Sequence, residues 1–247
     1  MEPTTADFSF KSLLAVLPRG EPLDVTYLKG KGLSVNRAAH LAKAGWLVHL
    51  GRGTYMLPGD KLSRDGCLAH LMRHHAGLHV GAKTALAWRG VKHNISFRDV
   101  ISLWGDQPLR LPGWLASNYP CTYQLTRLFD DQLPQGFGLP SLPAGNPAVL
   151  VSVPERALLE LLSDVGKTEM LSDARSLVES TRSLRTSTLE TLLAHTRRIK
   201  VLRLARDLAE ELDLPWASLA KKYSEAKGGG SRWIAVSKTG ERLELKQ

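Results

Sequence analysis

The chain has 247 residues, 43% apolar and 23% charged, with a net charge of +9 and a pI near 9.7. That length can bury a real core in one or two domains, and the basic balance favours anionic partners such as nucleic acid or an acidic protein face. Two distant cysteines, Cys67 and Cys121, argue against a disulfide framework; no apolar run is long enough to span a bilayer, and MEPTTADFSF lacks the order of a signal peptide, so a cytoplasmic protein with no membrane partner is expected.

Residues 1–6 are polar, and the first helix is expected from Phe8 to Leu17, with Phe10, Leu13, Leu14 and Leu17 at helical spacing and Pro18 as its stop. Thr26 to Lys31 reads as a short second helix ended by Gly30 and Gly32. Ser34 then stands as an N-cap, its hydroxyl placed to accept an orphan backbone N–H. From Val35 to Ala44 the pattern is amphipathic: Val35, Ala38, Ala39 and Ala42 form the side expected to be buried, whereas Asn36, Arg37, His40 and Lys43 project from the other. Gly45 ends this helix. Trp46–Leu50 and Thr54–Leu57 are expected strands, joined across Gly51-Arg52-Gly53.

Helix, turn, polar-faced helix and arginine-tipped ribbon is the order of a winged helix-turn-helix, a fold that reads DNA. Its candidate DNA-binding residues are Ser34, Asn36, Arg37, His40, Lys43, Arg52 and Tyr55. Arg37 suits a bidentate contact to guanine, Asn36 can pair with adenine, and Lys43 suits a phosphate. Arg52 at the tip can enter a minor groove or touch the backbone beside it. The bland alternative is a small helical hairpin with a solvated basic face. Pro58-Gly59-Asp60 breaks the pattern, giving an expected division into residues 1–59, the DNA-binding domain, and residues 60–247, an effector domain.

Residues 65–92 predict two helices, Asp65–Ala76 and Ala82–Arg89. His70, His74, His75, His79 and His93 crowd this region with Cys67. Cys67, His70 and His74 lie near one helix face, which raises a metal site; yet Cys67 and His74 stand about 10 Å apart along a helix axis, and no CxxC or HExxH occurs. Packed or solvated histidines are the expectation, with no metal and no cofactor. Strands are expected at 99–104, 122–129 and 148–152, separated by Pro- and Gly-rich stretches at 107–113 and 133–147. From Pro154 the chain returns to helix, with further helices at 170–180, 186–195 and 199–212, and a terminal hairpin turning at Thr239-Gly240. Arg197, Arg198, Lys200, Arg203 and Arg206 form a basic cluster, either a solvated face or a surface for an acidic partner. No Walker A sequence and no grouped nucleophile, base and acid are present; dispersed Asp99, Asp130, Asp131 and Lys167 are the only hint of a metal nuclease, so no enzyme is expected.

The run AGWLVHLGRGTYMLPG, followed by Gly81-x-x-Thr84-Ala85-Leu86, Leu111-Pro112-Gly113-Trp114-Leu115 and Ser152-x-Pro154-Glu155-Arg156-Ala157, resembles the AbiEi antitoxin family from about Leu17 to about Ser218. The Gly-Arg-Gly-x-Tyr wing is common to many regulators; the ordered combination is far more specific. The resemblance implies an α+β protein, with an N-terminal winged helix-turn-helix followed by a larger mixed α/β domain and a helical C-terminal block. It also implies an antitoxin of an AbiE abortive-infection, phage-defence system of type IV. Such a protein binds inverted repeats of double-stranded DNA in its own promoter, represses its operon and neutralises a nucleotidyltransferase-like toxin, without fixing whether the two proteins touch. The alternatives are a stand-alone winged-helix regulator, a protein-binding winged helix or a nucleic-acid-processing enzyme. After Leu214 the family pattern is not matched.

Overall fold

The structure is a computed structural model describing residues 10–91, 100–227, 233–236 and 242–245. The expected features at residues 1–6, His93, Asp99 and the Thr239-Gly240 turn lie outside the described residues. Two compact units emerge: residues 1–74 with 110–120, and residues 75–109 with 121–247.

The first unit begins with α1 (Phe10–Val16), β1 (Leu23–Asp24), α2 (Val25–Gly30) and α3 (Val35–Lys43), followed by β2 (Val48–Gly51) and β3 (Thr54–Met56). The Asp24 carboxylate caps α2 by accepting from Tyr27 N at 2.8 Å, and the Ser34 hydroxyl caps α3 by accepting from Arg37 N at 3.3 Å. Gly45, at φ +80°, turns the chain out of α3 in a conformation that L side chains rarely adopt. A small antiparallel sheet of order β1-β3-β2 pairs Leu23 with Tyr55 and Val48 with Met56, with a bulge between His49 and Gly51. Leu13, Leu17, Leu23, Leu28, Leu33, Ala38, Leu47, Tyr55 and Leu57 close over one another as the core.

This unit runs past the break expected at Pro58-Gly59. Asp60 accepts from Gly20 N at 3.0 Å and pairs with Arg19 at 2.9 Å, and Ser63 N donates to Gly20 O, so the chain after Pro58 is laced back onto the loop behind α1. It continues into α4 (Arg64–His74), where Gly66 allows close approach: a Cβ there would lie 2.6 Å from Gly20 O. The stretch 110–120, expected as a Pro- and Gly-rich connection as far as Gly113, contains a short helix, α6 (Gly113–Asn118), ended by Tyr119, whose hydroxyl donates to Leu62 O at 2.7 Å.

The second unit comprises β4 (His79–Val80), α5 (Ala82–Trp88), β5 (Ile101–Gly105), β6 (Cys121–Leu125), α7 (Pro154–Asp164), α8 (Leu171–Glu179), α9 (Thr186–His195), α10 (Ile199–Glu211), α11 (Ala217–Lys227), β7 (Trp233–Val236) and β8 (Arg242–Leu245). Its first sheet has the order β4-β5-β6, antiparallel then parallel, and β7 pairs with β8 as an antiparallel hairpin. At the centre lies α7, packed by α5, α8, α9 and α10, with Ala157, Leu158, Leu159, Leu161 and Leu162 without exposed surface. Burying five such side chains contributes on the order of 10 kcal/mol before the entropy of ordering is set against it.

The strand expected at 148–152 is reduced to one bridge between Val80 and Val151. Arg89 takes the carbonyls that a neighbouring strand would otherwise pair, donating to Ser152 O and Val151 O at 2.7 Å and to Pro140 O at 3.1 Å. Among the described residues, no helix is long and apolar enough to cross a membrane.

Candidate nucleic-acid interface

The polar side of α3 is displayed as its sequence pattern requires. Asn36, Arg37, His40 and Lys43 are all exposed, while Ala38 is sealed against the core, with Leu41 and Ala42 packed against the same cluster. The buried stripe therefore runs through Ala38, Leu41 and Ala42. Ala39, expected beneath the helix, is exposed because one residue turns the helix by about 100° away from Ala38; Val35, on the buried side by spacing, is exposed as the first residue of α3. Ser34 is exposed and its oxygen is engaged as the cap of α3.

Arg52 is exposed at the end of the hairpin, beside Gly53 with φ +68°. Tyr55, expected to reach DNA, is instead a core residue. Only 5% of it is exposed, it pairs across the sheet with Leu23 and His49, and its ring meets His49 edge to face at 5.5 Å. Alternation along β3 sends it inward. Val35 at the start of α3, Trp46 after its end and Val48 at the start of β2 are exposed apolar side chains.

One sequence signal went unused. From Val25 to Gly59 there are five Lys or Arg residues (Lys29, Lys31, Arg37, Lys43 and Arg52) and no Asp or Glu. A stretch with no carboxylate to pair with its cations leaves them available to phosphates.

The basic row of the second unit is not a face. Arg203 and Arg206 are 3% and 8% exposed, because α7, α8 and α11 cover α10 on several sides. Arg206 pairs with Asp207 at 2.7 Å. Arg198 donates to the Ser163 hydroxyl at 3.1 Å, and Lys200 to the Val165 carbonyl. Burial, helped by Lys167 and Arg198, brings the Lys200 ammonium down to about 8. Arg197 is exposed.

What sequence reasoning missed is a buried polar knot. Glu160 interrupts the leucines of α7, which was its only outward sign. Its carboxylate accepts from the Ser152 hydroxyl at 2.9 Å, Ala82 N and Arg156 Nε at 3.0 Å, and is 2.8 Å from His79 Nε2. Burial pushes this carboxyl up, but His79, Arg156 and the Ala82 N–H together hold it below the usual range. Elsewhere on α7, Glu155 forms a fork with Arg185 at 2.9 and 3.1 Å. Ser152 and Arg156, together with Gly81, where a Cβ would meet Glu160 Oε2, are residues of the family-like motifs and converge on one glutamate. With its lone pairs occupied, Glu160 is suited to holding α5, α7 and the 133–153 segment together rather than to moving protons. A cleft of about 410 Å³ lies beside the knot, lined by Asp106, Arg127, Asp130 and Arg156 among others. Of the acids that hint at a nuclease metal, Asp130 is 2.8 Å from His195 Nδ1, and Asp131 pairs with Arg127 at 3.2 Å.

Two family models match the chain: one described as a transcriptional regulator, AbiEi antitoxin N-terminal domain, over residues 7–97, and one described as a transcriptional regulator, AbiEi antitoxin, type IV TA system, over residues 98–246. The crystal structure of the RV2827C protein from Mycobacterium tuberculosis is similar in fold, with a TM-score of 0.55 at 16% identity, over 91% of this chain and 86% of that one. No curated protein matches.

Proposed function

Because this chain belongs to the AbiEi antitoxin family of transcriptional regulators in type IV toxin–antitoxin systems, we propose that it represses its own operon through a winged helix-turn-helix formed by α2, α3 and the β2–β3 hairpin. The observation that carries the reading is α3 itself. Asn36, Arg37, His40 and Lys43 face solvent together over a helix anchored by Ala38, in a carboxylate-free stretch. A helix held rigid on one side and offering donors on the other is what base edges and phosphates require. Arg52 supplies a second contact from the hairpin, to the minor groove or the backbone.

In this reading two copies occupy an inverted repeat, since a palindrome mirrors a two-fold arrangement of readers. The second unit carries the antitoxin work against a nucleotidyltransferase-like toxin and is not itself catalytic. Footprinting of the DNA upstream of the gene tests the first part, with protection of both arms of a repeat expected. Sequence-indifferent binding that salt abolishes would reduce the protein to a nonspecific DNA binder. Co-expression with the neighbouring toxin tests the second, survival of the cells being the expected result.

A further inference from the structure

Asp24, His70 and His74 each bring one metal-ligating atom to a common point in the first unit, all within 4.8 Å of one another. The two histidines are four residues apart on α4 and therefore share a face; the carboxylate arrives from a different element, the start of α2. Asp24 Oδ2 lies 2.9 Å from His74 Nε2 and 3.7 Å from His70 Nδ1, and the imidazole centroids are 5.0 Å apart. Tetrahedral zinc with bonds of about 2.1 Å separates its ligands by about 3.4 Å. The observed separations bracket that value, so small side-chain rotations convert the cluster into a coordination set.

The supports around these side chains are those a metal centre uses. Asp24 Oδ1 accepts from Tyr27 N at 2.8 Å, which fixes the carboxylate with its other oxygen toward the histidines. The His70 ring is buried and meets Trp114 edge to face at 5.8 Å. The His74 side chain is 41% exposed, so the site opens to solvent on one side. Two imidazoles and one carboxylate suit zinc and its neighbours in the transition series; calcium and magnesium take oxygen ligands. Cys67, the thiol on the same helix, is about 10 Å along the axis from His74 and does not join the group.

We propose that Asp24, His70 and His74 bind one divalent transition-metal ion, zinc above all, with solvent in the fourth position. The ion ties α4 to the first turn of α2. Through the pairing of Asp24 with Thr54, it also ties α4 to the β2–β3 hairpin. A clamp there stiffens the unit, and nothing in it depends on what α3 contacts.

The test uses the full chain, stripped of metal by dialysis against a chelator and titrated with zinc chloride against a chromophoric competitor, then separately with cobalt chloride. One equivalent of zinc is expected. The cobalt complex should show the intense visible bands of a four-coordinate ion with no thiolate-to-cobalt band. His74→Ala should weaken binding by about 100-fold or more, and Asp24→Asn, which retains an N-cap oxygen, by at least about 10-fold. His74→Gln can still hydrogen-bond Asp24, so it decides the matter if the alanine variant does not fold. His49→Ala should bind zinc as the parent does. Absence of stoichiometric zinc, or parent affinity in both His74→Gln and Asp24→Asn, overturns the site. A thiolate band would move the ion to Cys67 and overturn it equally.

Discussion

Gly81 and Glu160 occupy a space that one methyl group would fill: a Cβ on Gly81 would stand 2.5 Å from Glu160 Oε2 and 2.7 Å from the Trp104 ring. Gly81 itself has extended backbone at φ −130°, so the constraint is contact rather than conformation. Gly81→Ala should destabilise the second unit by about 1–3 kcal/mol through overpacking. Glu160→Ala should cost more, about 3–5 kcal/mol, because Arg156 and His79 would lose the carboxylate between them. Urea unfolding followed by circular dichroism measures both, and equal effects would mean that the knot is not an anchor.

On the proposed DNA-reading helix, adjacent alanines should behave oppositely. Ala38→Glu places an unpaired charge in the core and should unfold the first unit, at a cost of about 3 kcal/mol or more. Ala39→Glu, on the exposed side, should change stability by less than about 0.5 kcal/mol yet weaken DNA binding by repelling phosphates. Thermal melts paired with binding isotherms separate the two; a folded Ala39→Glu variant with parent affinity would remove α3 from the interface.

Arg37→Ala should cost about 1–3 kcal/mol of specific binding and relax preference at one base pair. Arg52→Ala should weaken binding more evenly across sequences, with the salt slope shallower by roughly one unit if only phosphate is contacted. Isotherms on intact and mutated operators at several salt concentrations check both. If Arg37→Ala discriminated between them as the parent does, the hairpin would be the better reading element.

Asp164 sets a pH dependence of its own. Burial, reinforced by Glu160 and Glu169 against the opposing Lys167, raises its carboxyl from 3.8 to about 7. Between those values the folded chain keeps a proton that the unfolded chain has released. This residue's contribution to stability therefore declines as pH rises from about 4 to about 7, and is level above that. Asp164→Asn should remove the decline and leave the protein more stable than its parent at about pH 8, by roughly 1–4 kcal/mol. Unfolding curves at about pH 5 and pH 8 test this; an unchanged difference between the two pH values would show that Asp164 titrates normally.

The basic residues around α10 should divide by burial. Arg203→Glu and Arg206→Glu should lower the melting temperature markedly, since each places a carboxylate where the helix is covered. Arg197→Glu, at an exposed position, should leave stability within about 0.5 kcal/mol. Melting temperatures of the three variants decide whether any antitoxin defect reflects a lost contact or a lost fold.

The α3 segment and its hairpin were legible because caps, amphipathy and glycines all agree there. The fine placement of its buried stripe was not: with four alanines and one leucine from Val35 to Ala44, Leu41 orients the helix, and spacing among small residues cannot tell Ala38 from Ala39. Spacing likewise put Lys200, Arg203 and Arg206 in line, but whether a line is solvated depends on neighbours far along the chain. The third donor beside His70 and His74 came from Asp24, nearly fifty residues earlier, rather than from Cys67 on their own helix. A Pro- and Gly-rich run hid α6, whose Trp114 finds its contacts in Gly51 and His70.

That last helix has a bearing on inheritance. The first unit is written in two passages of the chain, residues 1–74 and 110–120, with β4, α5 and β5 of the other unit spelled out between them. A single recombination joint anywhere before residue 110 would graft a new amino-terminal half onto the old α6, setting an unfamiliar residue against Trp114. Exchange of the unit alone takes three joints, and a single joint after residue 120 carries β4, α5 and β5 of the other unit along. If α3 reads DNA as proposed, a new specificity is reached more readily by point substitution on that helix than by trading modules.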